Sequence, residues 1–246
     1  MKKRGFEISE FETRMVRAQE IMHRRNLDAI WVTTPQNIRY FTGFDSQFWE
    51  SPTRPWFVVV PGEGKPIAVV PEIGAREMER TWIEDVRSWP APIPEDDGIS
   101  LLSGVVNSLP NKFNAIGAEL GREMALRMPV NDFLKLRTVI NRPVLDGSPA
   151  LWEMRMVKTE PEIHRIGHIC RLASESYQDL PNHLNIGETE RDATRKLRID
   201  LARRGADSTP FLPAVSGQGG VPQIVCGPTD RKLENGDILF MDTGST

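Results

Sequence analysis

The chain has 246 residues, 39% of them hydrophobic, with 31 Lys and Arg against 34 Asp and Glu for a formal net charge of −3. That length and apolar content allow one large domain or two modest ones with a buried core, and charge spread without a long single-sign block argues against a nucleic-acid groove or an anionic membrane surface as the main partner. No apolar run approaches the ~18 residues of a membrane span, and the basic start Met1-Lys-Lys-Arg4 leads into no apolar stretch of the secretory kind, so a cytoplasmic protein is expected. Cys170 and Cys226 form no CxxC pattern, which fits reduced thiols better than a disulfide framework or a zinc site.

Phe11, Met15, Val16, Ile21 and Met22 recur at helical spacing, predicting a helix over 10–25 that Asn26 stops. Ala29-Ile-Trp-Val-Thr33 has the composition of a buried strand. Residues 56–60 and 66–70 flank Pro61-Gly-Glu-Gly-Lys65, whose glycines can take positive φ, and predict a β-hairpin. A helix over 75–83, a strand over 86–89, a surface loop over 90–98, a helix over 101–109, a strand over 115–119 and a short helix over 130–135 complete an alternating α/β pattern.

Arg142-Pro-Val-Leu-Asp-Gly-Ser-Pro149 concentrates turn formers, and a domain boundary is expected between 141 and 157, dividing the chain into residues 1–150 and 151–246. Thr159-Glu-Pro-Glu162 reads as a capping box opening a long helix to about Leu180. A second helix starts at Gly187-Glu-Thr-Glu190 and ends near Gly205, with Ala193, Leu197, Ile199 and Leu201 as its apolar face. Ala214-Val-Ser-Gly-Gln-Gly-Gly220 lacks both the dinucleotide fingerprint and the P-loop lysine, so phosphate binding is not expected there. Asp237-Ile-Leu-Phe-Met-Asp242 reads as an apolar strand with a carboxylate where it ends.

Taken alone, an Asp before Thr-Gly at a strand end is more often a turn cap than a ligand. His164 and His168 stand at i, i+4, a spacing that can chelate a metal. No Glu accompanies them in an H-E-x-x-H pattern, so solvent-facing or packed helix residues are the expectation. The segment 45–56 combines Phe48, Trp49 and Arg54, a composition suited to a planar or anionic ligand, with hydrophobic cover for the first domain as the competing reading. Trp152, near the linker, is expected to serve interdomain packing.

Context changes the weight of Asp242. The run from Pro228-Thr-Asp-Arg231 through Gly236-Asp237 to Asp242-Thr-Gly244 resembles the catalytic half of the creatinase, aminopeptidase P and prolidase family. Residues 154–163 resemble that family's linker and first helix, Gly187-Glu-Thr-Glu190 its second helix, and residues 17–30 with Pro35-Gln-Asn-Ile-Arg-Tyr-Phe-Thr-Gly43-Phe44 its amino-terminal domain. The resemblance implies an α/β N-terminal domain followed by the first part of an α+β pita-bread domain. It implies a metal-dependent hydrolase of the Xaa-Pro dipeptidase or creatinase type, acting on a small peptide or an amidino compound as a homodimer. Asp242 then corresponds to the first ligand of a pair of divalent ions (Mn, Co, Zn or Fe), a second Asp, a His and two Glu being expected beyond Thr246. Phe48, Trp49 and Arg54 correspond to a loop that can reach a partner subunit's pocket in dimeric relatives. By this reading the 246-residue polypeptide has no metal-dependent activity by itself, and its half sheet dimerises or aggregates.

Val225 stands where many relatives carry a His, and isopropyl cannot transfer protons. Lyase chemistry on a sulfonium osmolyte (dimethylsulfoniopropionate) therefore remains an alternative on the same fold, as does a non-catalytic protein-binding module.

Overall fold

The computed structural model describes residues 5–50, 54–221 and 223–246. Residues 51–53, part of the aromatic segment singled out above, lie outside it, as does the basic start. The chain divides into two compact units between Lys158 and Thr159.

In the first unit, alternation of apolar side chains along the strands decides the architecture. The elements are α1 (Ile8–Arg24), β1 (Ala29–Val32), α2 (Pro35–Thr42), β2 (Phe57–Pro61), β3 (Ile67–Pro71), α3 (Glu72–Met78), β4 (Asp85–Trp89), α4 (Ile99–Ser108), β5 (Ile116–Ala118), α5 (Val130–Val139), β6 (Val144–Asp146) and α6 (Ser148–Met156). The strands form one sheet in the order β4-β3-β2-β1-β5-β6, antiparallel across the β1–β2–β3 meander and parallel at both flanks. Ile30, Val32, Val58, Val60, Ala68 and Val70 face a core completed by α1, α2 and α6; Ala29, Trp31, Phe57, Val59 and Val69 face a second core completed by α4 and α5. A two-sided strand such as β1 thus reads as an unbroken apolar run, because both faces are covered.

Helix α1 ends at Arg24, and Asn26, expected to stop it, turns the chain just beyond by adopting the left-handed region at φ 54. The helix expected over 75–83 is α3, which stops at Met78: the Thr81 hydroxyl donates to Met78 O at 2.6 Å and accepts from Ile83 N at 3.2 Å, closing the turn locally. Helices α2 and α6 were not expected. Each opens with a proline in its first turn, where the missing N–H costs nothing. Leu151 and Met154 of α6 enter the same core as α1, and Arg17 donates to Glu153 O and Val157 O. This packing is why the turn-rich 142–149 stretch lies inside the first unit. On α3, Gly74 lies against the Trp56 ring, and a Cβ built there would come within 1.9 Å of Cη2.

Two buried carboxylates lock loops to the sheet. Asp28 accepts backbone N–H groups of Lys112 and Phe113, each at 2.8 Å, and the Arg142 guanidinium at 3.2 Å. Glu119, past the end of β5, accepts from Thr33 N, Thr34 N and both threonine hydroxyls, and from Asn37 Nδ2.

The second unit holds α7 (Glu160–Asp179), a 3₁₀ turn (Leu180–Asn182), α8 (Glu190–Arg204), β7 (Ala214–Gln218) and β8 (Asp237–Met241), the two strands pairing antiparallel. Both helices open on complete capping boxes, Thr159 with Glu162 and Thr189 with Asp192. Leu197 and Leu201 of α8 pack with Leu180 and Leu212. Ile199, expected on that face, is instead 45% exposed. Two residues past Leu197 is roughly 200° around the helix, which points it outward.

Candidate functional site

Asp242 follows the last residue of β8 and its side chain is exposed. Its position is set by backbone and neighbours: Asp242 N donates to Pro213 O at 3.2 Å, and the Tyr177 hydroxyl of α7 donates to Met241 O at 3.2 Å. Burial, helped by the Asp242 charge nearby, pushes the Tyr177 hydroxyl pKa up, so Tyr177 stays a donor. At the other end of β8, Asp237 takes both arms of Arg231 (2.6 and 2.9 Å), and that guanidinium holds it below the usual aspartate range.

Sequence reasoning missed Glu190, which joins these pieces. Its buried carboxylate accepts from Ser216 N and Oγ on β7 and from Thr229 N and Oγ1 in the Pro-Thr-Asp-Arg turn. Burial opposes its charge, yet the Thr229 and Ser216 donors outweigh it and keep the carboxyl below the ordinary glutamate range. The signal was available as a hydroxyl in the turn motif, but nothing local says that a helix N-terminal Glu will accept from it. Thr229 and Arg231 are therefore joints that fix the approach to β8. Val225, in the preceding segment, is 83% exposed.

Among the described residues, no three His, Cys, Asp or Glu side chains converge as metal ligands would. Asp242 offers a suitable hard-oxygen donor, but a single carboxylate does not fit a two-cation centre. His164 is exposed and His168 half-buried on α7, in no such group.

In the first unit, Phe48 and Trp49 share the 3₁₀ turn Gln47–Glu50. Trp49 packs edge-on to Phe44 (5.5 Å between ring centroids) and Trp56 (5.5 Å), and its indole N–H donates to Asp45 at 3.0 Å. Phe48 stays outside this trio, 45% exposed. Arg54, half-buried, precedes Trp56 and β2. The sequence candidates thus fall into two groups, Phe48, Trp49 and Arg54 in one unit and Asp242 in the other.

Residues 14–157 match the Creatinase/Prolidase N-terminal domain. The chain belongs to that family. An Xaa-Pro dipeptidase of Pyrococcus horikoshii is 23% identical over 92% of this chain and 58% of its own length, and a probable dipeptidase PepE of Mycobacterium bovis is 25% identical over 100% and 62%. Among solved structures, a recombinant prolidase from Thermococcus sibiricus superposes with a TM-score of 0.78 at 21% identity, covering 96% of this chain and 61% of that one. The fold is accordingly the creatinase-type α/β domain followed by the start of the pita-bread domain. The chain spans about 60% of the length of these relatives. No helix among the described residues is long and apolar enough to cross a membrane.

Proposed function

We propose that this chain is part of a cytoplasmic, homodimeric, metal-dependent hydrolase of the Xaa-Pro dipeptidase type. Asp242 contributes one ligand to a pair of divalent ions, and Phe48, Trp49 and Arg54 contact the substrate. The observation that carries the reading is an exposed carboxylate held at the end of β8 by the Asp242 N bond to Pro213 O and the Tyr177 bond to Met241 O. A strand-end carboxylate on a braced sheet keeps a coordination geometry better than a loop residue does. When bound, such an ion pair supplies an activated water and polarises the scissile carbonyl. These residues would contribute placement: Asp242 its oxygen, the aromatic turn an apolar surface, and Arg54 a guanidinium for a peptide carboxylate.

Val225 favours keeping a second chemistry in view. Its side chain is exposed and carries no titratable proton, so the leaving-group step differs from that of relatives with imidazole at this place. The longest natural form of the gene product should be assayed with Xaa-Pro dipeptides, creatine and dimethylsulfoniopropionate, each with Mn²⁺ added. Turnover of the dipeptides supports the proposal, turnover of the sulfonium compound replaces it with a lyase, and turnover of none leaves a binding module.

A further inference from the structure

We infer that Asp45 is a positioning residue whose carboxylate presets the turn at residues 44–49 so that Phe48 is its presented aromatic, offered to an apolar or ring-bearing side chain of a peptide substrate. The inference deepens the proposed function and rests on it for the identity of the ligand.

One oxygen of Asp45, Oδ1, accepts three donors: Arg39 Nη2 at 2.5 Å, Ser46 N at 3.0 Å and Trp49 Nε1 at 3.0 Å. An ionised carboxylate suits this convergence of a guanidinium, an indole N–H and a backbone N–H on one atom, since charge-assisted bonds are the stronger kind. Around it the turn is held at successive positions. Ser46 Oγ accepts from Phe48 N at 3.1 Å, and Arg127 Nη2 donates to Trp49 O at 2.5 Å. Arg127 is itself moored to the sheet, its backbone N–H donating to Thr33 Oγ1 at 3.0 Å.

The aromatics divide accordingly. Phe44 and Trp56 are buried, and their rings lie 5.1 Å apart between centroids. Trp49 spends its N–H on Asp45 and its ring edge on those two. Phe48 sits between Ser46 and Trp49, both held by hydrogen bonds, yet among the described residues its ring belongs to no such pair and is 45% exposed. Asp45 thus performs ordering in advance. A surface fixed before the ligand arrives does not have to be ordered by it, and this lowers the cost of binding.

The test uses Asp45→Asn and Trp49→Phe, which keep side-chain size or ring but weaken the hub, and Phe48→Ala, which removes the presented ring. In the 246-residue chain, hydrogen exchange of amides 46–49 should be roughly fivefold faster in Asp45→Asn and in Trp49→Phe. Amides of β1 and β2 should be unchanged. Unaltered exchange at 46–49 overturns the positioning role. In the active gene product, Asp45→Asn and Phe48→Ala should each raise KM for Xaa-Pro dipeptides roughly threefold or more while leaving kcat near the parent value, the mark of uniform binding. Faster exchange with an unchanged KM in both variants overturns the presentation of Phe48 to substrate. Absence of any dipeptide turnover defeats the peptidase reading instead, and the exchange result still decides the role of Asp45.

Discussion

Buried carboxylates carry much of the specificity of this fold at the scale of single residues. Glu190 accepts four hydrogen bonds from two residues of different segments, and Glu190→Ala leaves those donors unmatched. A loss of about 2–3 kcal/mol is expected in chemical denaturation, since hydrogen bonds to a charged group are worth more than neutral ones. Asp28 faces Arg142 with both side chains almost wholly buried. Arg142→Leu should destabilise by about 3–5 kcal/mol, the usual result of leaving one buried charge unmatched. Burial works against ionised Asp28, but the N–H groups of Phe113, Lys112 and Ala115 and the Arg142 charge prevail and lower its pKa, as the Thr229 and Ser216 donors do for Glu190. A depressed carboxyl pKa adds stability that is complete above the unfolded value and withdrawn as pH falls through the folded one. The midpoint of denaturation should therefore decline on acidification below the ordinary carboxylate range, and less steeply in Glu190→Gln. At this scale the sequence was legible where the cause is local, as with the apolar run that places Asp242 just past the end of β8. Glu190 and Asp28 escaped notice because their partners lie up to 114 positions away in the chain.

Among elements, those with local causes were readable. The boxes Thr159–Glu162 and Thr189–Asp192 are each satisfied within four residues, and both helices start there. Thr159→Ala should lower the thermal midpoint through a cost of about 1 kcal/mol, read by circular dichroism. The β2–β3 hairpin was equally plain from its apolar runs and glycine-bearing connection. Helices α2 and α6 were hidden by their own first turns, since Pro35 and Pro149 look like breakers; Thr34 caps the first, whereas Gly147 at the start of the second offers no side-chain cap. The end of α3 was misjudged because a threonine hydroxyl, and no glycine or proline, closes it. The role of the 44–49 turn was half visible: its composition suggested a ligand surface, but nothing in the order of residues says which ring would be spent on packing.

For the whole molecule, the first unit has both faces of its six-stranded sheet covered. A fragment of residues 1–158 is expected to unfold in one cooperative transition, and a broad, non-cooperative melt would contradict this. The second unit differs. Its β7–β8 pair has no third strand among the described residues, and Phe211, Ile224, Val225 and Ile238 are exposed. Open strand edges and uncovered apolar surface invite association, so the 246-residue polypeptide should elute in size-exclusion chromatography as a dimer or larger. A well-behaved monomer across concentrations would refute that expectation.

The fit of Gly74 under Trp56 reaches further than its size suggests. A single methyl at position 74 has nowhere to go unless the indole tilts, and that indole is the floor on which Trp49 rests. Residues 74 and 56 are consequently sterically coupled: enlarging the first requires the second to shrink or move. A substitution on the buried face of α3 would then be felt in the orientation of Trp49, transmitted through the Trp56 ring.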